Sequence, residues 1–567
     1  MENSVSDPVI ALREVGFSYD KGRPVLKGLS LFVSRGERVA VLGRNGSGKS
    51  TLVKILGALL TPSQGTCFAR GRVSLVFQNP ENQIVGAVVE DDVAFAPENQ
   101  GVEPIEIERR VVWALEKVGL LHKKKALSSA LSGGEKQRLA LAGALAAIGP
   151  GVSACLVLDE PTAMLDPQGR AEVESVLREL HAAGTTIVQV THQIENVTLA
   201  DRVLVLSQGE WIWQGDREAF WDAAESLGFS LPPLVSLRRR LVAKGITVNA
   251  NSIDDLAETI AAFFSSLGTE EGERLCPDVL PLSFFQVRDL GCGFGAGTPV
   301  ETRVLTNVSC AVPAGKWFSI LGRTGSGKST LVQHLNGLYP IQSGEISILS
   351  EGEFVPLPKK GTELRNLRRR VGLVFQSPED QLFSPTLREE LTFAPLNWGL
   401  SKEKADAAAA RAVELVGLGR EYLERSPLRL SGGERRLAAI ASVLSADPEC
   451  LVLDEPTAGL DAVYRSQVVE LLSRLKGEGR TIVTVTHDFE MAFEWSDRVF
   501  VIEGGRGLFE GSVASALSAL LERESENVML PEVLRLCGRL KRQGLCVPLT
   551  WDVDGLFEAL HESTRLS

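Results

Sequence analysis

One set of short segments runs through this chain twice, in the same order. GRNGSGKSTL at 43–52 returns as GRTGSGKSTL at 322–331, and VFQNPENQ at 76–83 returns as VFQSPEDQ at 374–381. LSGGE occurs at 131–135 and 430–434, CLVLDEPTA at 155–163 and 450–458, and VTHQIE at 190–195 matches VTHDFE at 485–490. Even the tails agree: LPPLVSLRRRLVAKG at 231–245 resembles LPEVLRLCGRLKRQG at 530–544. Repeats in fixed order mean two copies of one folding unit, near 1–282 and 283–567. The offset between copies drifts from 279 at the glycine-rich segment to 299 at LSGGE, and the extra residues are expected in loops.

Within each half, short apolar runs alternate with helical patterns. RVAVLG and KWFSILG end in glycine and lead into a helix starting at GKST; CLVLDE, TIVQVTH and VLVLSQG are apolar on both faces, as parallel strands require. The expected fold is α/β, with a mostly parallel sheet in each half and an antiparallel β-subdomain formed by its opening residues. Residues 139–158 carry no charge over twenty positions, but Gly149-Pro150-Gly151 breaks them, so a helix, a turn and a strand fit better than a membrane span. The N-terminal MENSVSDPVI has no basic stretch followed by an apolar run, which argues against a secretory signal. Eight cysteines are scattered without CxxC spacing; Cys155 and Cys450 sit in apolar strand-like runs and read as buried thiols, which points to a reducing cytoplasm. A net charge of -12 argues against general nucleic-acid binding, and the arginine triplets at 238–240 and 368–370 read as solvated faces.

The glycine-rich segments carry the strongest chemistry. GxxxxGK[ST] between a strand and a helix lets backbone N–H groups turn inward around phosphates. Gly43, Asn45, Gly46, Ser47, Gly48, Lys49, Ser50 and Thr51 form the first such loop; Gly322, Thr324, Gly325, Ser326, Gly327, Lys328, Ser329 and Thr330 form the second. Lys49 and Lys328 are expected on the β- and γ-phosphates, and Ser50 and Ser329 on Mg²⁺. Asp159 and Asp454 end buried strands, where a carboxylate needs a cation, and Mg²⁺ supplies that need. Glu160 and Glu455 follow as general-base candidates. His192 and His487 close the next strand, at the sheet edge where α/β folds bind ligands, and read as γ-phosphate contacts. Gln78 and Gln376, before Asn-Pro and Ser-Pro turns, can orient water or ligate Mg²⁺.

Together these segments resemble the ATPase subunits of ABC transporters, in two full sets. The resemblance implies ATP hydrolysis, with two ATP molecules held between the halves of an intramolecular pseudo-dimer. It places Ser132, Gly133 and Gly134 on the γ-phosphate bound at Lys328, and Ser431, Gly432 and Gly433 on the one bound at Lys49. Tyr19 and Phe294 resemble the ring that stacks on adenine; Asp166 and Asp461 resemble the aspartate that links the two sites. The glutamine segments and the duplicated tails further resemble energy-coupling-factor (ECF) importers, also found in cobalt and nickel uptake. That implies a vitamin or metal importer subunit at the cytoplasmic face of the membrane, with a transmembrane coupling protein and a small substrate-capturing membrane protein as partners. A ribosome-acting tandem ATPase and a sugar-importer ATPase are the alternatives. The expected boundaries are 7–220 and 283–515 for the ATPase domains, with extensions at 221–282 and 516–567. After LSGGE the halves differ: Lys136-Gln137-Arg138 in the first, Arg435-Arg436-Leu437 in the second.

Overall fold

The computed structural model describes all residues except 1–7, 20–22, 45, 151–153, 163–164, 166, 247, 249–252, 265–281, 296–301, 379–380, 524–529, 546 and 566–567. Its contacts group the chain into two units, Met1–Val235 and Ser236–Ser567.

In the first unit a six-stranded sheet runs in the order Arg72–Val76, Ala154–Asp159, Thr186–Thr191, Arg38–Leu42, Arg202–Ser207, Glu210–Asp216. Every neighbouring pair is parallel except the last. The strand preceding the glycine loop is therefore central and flanked on both sides, which explains its wholly buried sequence, apolar after Arg38. A three-stranded antiparallel sheet of Leu26–Val33, Ile10–Phe17 and Gln64–Ala69 packs beside it, and together they enclose an apolar core with the helix Lys49–Leu56. The second unit repeats this plan, with Val371–Val374, Cys450–Asp454, Thr481–Thr486, Trp317–Leu321, Arg498–Glu503 and Arg506–Ser512 in one sheet. The expected α/β architecture is borne out. So is the uncharged stretch: it is the helix Gly133–Ile148 followed by the strand Ala154–Asp159, and no helix among the described residues is long and apolar enough to cross a membrane.

The extra residues of the second half do not lie in a loop. They build the strand Glu353–Pro356, the fourth of its antiparallel sheet, and the helix Gly361–Arg370. In the first unit Gln64–Ala69 passes to Arg72–Val76 with only Arg70 and Gly71 between. The helix forms because Leu364 and Leu367, three residues apart, share a face that meets the apolar core. The arginine triplet at its end is not a purely solvated face either: Arg368 donates to the Gly337 carbonyl and Arg370 pairs with Glu449.

The tails also depart from a simple repeat. Helix Ile253–Phe264, from the first half's extension, packs on Glu532–Arg542 of the second half's extension inside the second unit. Arg240 pairs with Asp554, and Arg539 with Asp254. Arg240 and Arg539 occupy matching places in the duplicated tails, as do Asp254 and Asp554 in IDDL and VDGL. The contact is thus reciprocal, like a two-fold dimer interface folded into one chain. These charges are largely solvated, so each pair contributes only about 0–1 kcal/mol. Buried Leu256, Ile260, Leu536 and Leu540 supply the cohesion. Ile260→Ala is expected to weaken the paired helices by about 2–5 kcal/mol, and Asp254→Ala by less than about 1 kcal/mol. Hydrogen exchange of the helix amides measures both, and equal losses would contradict this ranking.

Candidate functional site

Parallel strands bring their carboxyl ends to one edge, and the sequence motifs lie there. After Arg38–Leu42 the chain turns through the glycine loop, where Gly46 and Gly48 take φ 78° and 105°, the left-handed region that glycine enters without strain. A Cβ on Gly43 would lie 2.6 Å from the Leu206 carbonyl oxygen and from Ser47 Oγ, so no larger residue fits. Lys49 bends back over this loop and donates to the carbonyls of Gly43 and Arg44, at 2.8 and 3.0 Å. Lys328 does the same to Gly322 and Arg323, at 2.6 and 2.8 Å. Gly325 and Gly327 have φ 80° and 100°. The hydroxyls of Ser47 and Ser326 are buried in these loops without a hydrogen-bond partner, as donors awaiting an acceptor. Thr51 meets the Tyr19 hydroxyl at 3.2 Å, which ties the expected adenine-stacking ring to the glycine-loop helix.

Asp159 ends the strand Ala154–Asp159, two places along the sheet from Arg38–Leu42, and Glu160 follows it and diverges. Asp159 accepts from Ser50, and Asp454 from Ser329. Burial is the main influence on both aspartates and raises their pKa. Asp454 Oδ1 is buried without a partner. A Ser–Asp pair with an unused carboxylate oxygen fits Mg²⁺, which takes few protein ligands and completes its shell with phosphate and water.

Glu160 and Glu455 both sit at φ 49°, a strained conformation for a residue with a side chain. Each is held there by its backbone N–H, which donates to Val190 or Val485 on the next strand, at 2.8 and 2.9 Å. Glu160 gathers three expected partners. Lys49 Nζ is 3.5 Å from Oε1, His192 Nδ1 is 2.9 Å from Oε2, and Gln78 donates to Oε2 at 3.3 Å. Burial acts to raise the Glu160 pKa, but His192 and Lys49 outweigh it and hold the group as a carboxylate below its usual range. In the second unit His487 Nδ1 bonds Glu455 Oε1 at 2.8 Å. Gln376 is exposed, and no bond joins it to Glu455.

Other expected residues serve local structure in this conformation. Ser132 and Ser431 are N-caps, each accepting from the N–H of the glutamate three residues on, and that glutamate accepts the serine N–H in return. The final residue of LSGGE is thus half of a capping box, a role its S-x-x-E spacing encodes. Gly133 and Gly432 have open space where a Cβ would stand, whereas one on Gly134 would meet Gly169 at 3.5 Å and one on Gly433 the Tyr464 ring at 2.3 Å. Asp461 caps its own helix through Tyr464, and Phe294 lies edge-on to Tyr339 at 5.4 Å. Thr324 and Thr330 lie in the second loop and its helix. Asn45 and Asp166 fall outside the described residues.

Two carboxylates escaped the sequence reading. Asp92 is buried and accepts the N–H groups of Val85 and Gly86, and Glu390 accepts those of Phe383 and Ser384. Each clamps the segment after the glutamine turn. Their signal, an acid in the first turn of the next helix, is too common to single out. Asp92→Ala removes two charge-assisted bonds of about 1.5–3 kcal/mol each, so amides near 83–88 are expected to exchange at least tenfold faster. Unchanged exchange there would show that the clamp carries no load.

Residues 26–163 and 305–458 match the family described as ABC transporter. A Bifidobacterium longum protein, assigned provisionally as an ABC transporter ATP-binding protein, is 36% identical over 86% of this chain, which spans 64% of that relative. A Methanosarcina acetivorans protein with the same provisional assignment is 31% identical, covering 97% of this chain and 93% of its own length. Among solved structures, cbiO1 from Clostridium perfringens, described as part of the ABC transporter complex cbiONQ, is 31% identical. It covers 45% of this chain and 98% of its own, with a TM-score of 0.38.

Proposed function

We propose that this chain, which belongs to the ABC transporter ATP-binding proteins, hydrolyses ATP at two sites and drives an ECF-type importer of a vitamin or transition-metal ion. The observation that carries hydrolysis is the convergence of Lys49, Gln78, Asp159, Glu160 and His192 at one sheet edge, with the histidine–glutamate contact repeated at His487 and Glu455. In this reading Ser50 and Asp159, with Ser329 and Asp454 in the second unit, hold Mg²⁺, which neutralises phosphate charge when bound. The anionic Glu160 takes a proton from the attacking water, and His192 orients it. The domain boundaries 7–220 and 283–515, with extensions 221–282 and 516–567, belong to the same proposal. So does completion of each site by the LSGGE serine and glycines of the other half.

Glu160→Gln with Glu455→Gln should leave ATP binding intact and slow turnover by about 10²–10⁴-fold. Undiminished phosphate release in the double variant would sink the assignment.

The membrane partner is inferred from the segment after each glutamine turn. Phe383 and Phe393 meet edge-on at 5.0 Å and are 67% and 51% exposed, and the Phe383 N–H donates to the Glu390 carboxylate. Val85 and Phe95 are similarly exposed in the first unit. Such rings, beside the turn that carries Gln376, suit a helix of a transmembrane coupling protein. Phe383→Ser with Phe393→Ser should abolish uptake in reconstituted vesicles while the free chain's ATP turnover changes less than about twofold. Equal loss of both activities would place these rings in support of the nucleotide site instead.

A further inference from the structure

VFQNPENQ and VFQSPEDQ each carry a second glutamine, five positions after the one read as facing the nucleotide. Gln83 and Gln381 close their turns alike on one side. The carboxamide oxygen accepts the N–H of Phe77 or Phe375, at 3.1 and 3.2 Å. The amide nitrogen then goes to different places. Gln83 Nε2 donates back to its own strand, at the Leu75 carbonyl 3.2 Å away. Gln381 Nε2 donates to the Ala439 carbonyl at 2.7 Å and to Ser442 Oγ at 2.8 Å, both on the LSGGE helix Gly432–Leu444.

The sequence explains the difference. Eleven places after the LSGGE serine stands Ser442 in one helix and Gly143 in the other, while Ala439 and Ala140 match at eight places. The first helix therefore lacks the hydroxyl. A Cβ on Gly143 would meet nothing within 4 Å, so the position has room for a serine. The other ties are shared or weak. Gln137 donates to the Phe77 carbonyl at 3.4 Å, matched by Arg436 on Phe375 at 3.1 Å. Lys136 pairs with Glu81 at the solvated rim, where screening leaves little. The preceding glutamines follow suit: Gln78 reaches Glu160, whereas Gln376 stands exposed. Gln381 and Ser442 also line a cavity of about 210 Å³ with Phe383 and Phe393, so an occupant there acts on turn and helix at once.

We propose that Gln381 and Ser442 are positioning residues: they bind the second glutamine turn to its LSGGE helix, so that Gln376 and Ser431 are displaced together. The first turn, tied less closely to its helix, seats Gln78 on Glu160 independently. This rests on the reading of Gln78 and Gln376 as groups of the nucleotide site.

Hydrogen exchange of the full chain tests the tie. Gln381→Glu keeps the acceptor for the Phe375 N–H and removes the donor. It should speed exchange at Phe375 and 381–384 by about two- to tenfold, the factor that one neutral hydrogen bond sets on an equilibrium. Ser442→Ala should act in the same direction, and Ser442→Thr, which keeps the hydroxyl, should not. Gly143→Ser should slow exchange at Phe77 and 83–86 by a similar factor, a gain that damage to the fold cannot produce. Gly143→Ala improves helix propensity without a hydroxyl, and should leave the first turn unchanged. In Gly143→Ser the kcat is expected to fall with KM for ATP unchanged, because Gln78 is drawn towards the helix. The inference fails if Gln381→Glu leaves the second turn's exchange unchanged, or if Gly143→Ser and Gly143→Ala act alike on the first. A rise in KM at constant kcat would reduce the serine to a disturbance of nucleotide binding and overturn it as well. Undiminished turnover in Gln78→Ala would instead overturn the reading of the glutamines, while the exchange results judge the tie alone.

Discussion

The interaction on which the rest of the structure depends is the buried contact between Lys49 and Glu160, each 6% exposed and 3.5 Å apart. An ammonium and a carboxylate taken from water at this depth are tolerated only with several further partners. The fold supplies them: two loop carbonyls for the lysine, and a histidine and a glutamine for the glutamate. Only a parallel sheet places the ends of Arg38–Leu42, Ala154–Asp159 and Thr186–Thr191 side by side. Strand order and register are therefore conditions of the charge pair. The left-handed turn at Glu160 is a local strain accepted to aim the carboxylate inward.

Most of this was legible in the sequence, because the chemistry sits in contiguous segments. The glycine loop, the Asp-Glu pair and the strand-ending histidine each announce a strand, a turn and a polar group at once. What escaped depends on distant contacts. Asp92 and Glu390 look like ordinary acids in a helix's first turn until the backbone N–H groups they accept are seen. The insertion with Gly361–Arg370 reads as polar, and only Leu364 and Leu367 betray the face it buries. The reciprocal tail contacts join residues some three hundred positions apart, and no local pattern encodes that pairing. By contrast, the capping role of Glu135 and Glu434 was present in S-x-x-E spacing but lay hidden behind the glycines.

Duplication let the two halves solve one packing problem differently. In the first, Arg38 is 1% exposed beneath the sheet and bonds Glu174 and Gln189, both at 2.7 Å. The matching positions in the second are Trp317, Val469 and Thr484, with the indole N–H donating to the threonine hydroxyl at 2.9 Å. A buried polar triad and an aromatic plug of similar volume are often close in stability. Drift between them therefore needs no functional cause.

The tail pairing carries the same logic further. A reciprocal contact between separate chains depends on their concentration, whereas one within a chain does not. Weak elements then suffice: four buried aliphatic side chains and two solvated ion pairs. Such a joint holds the duplicated extensions together without needing the strength of an obligate dimer. That leaves the two nucleotide-binding cores free to diverge in sequence, as the residues after LSGGE do.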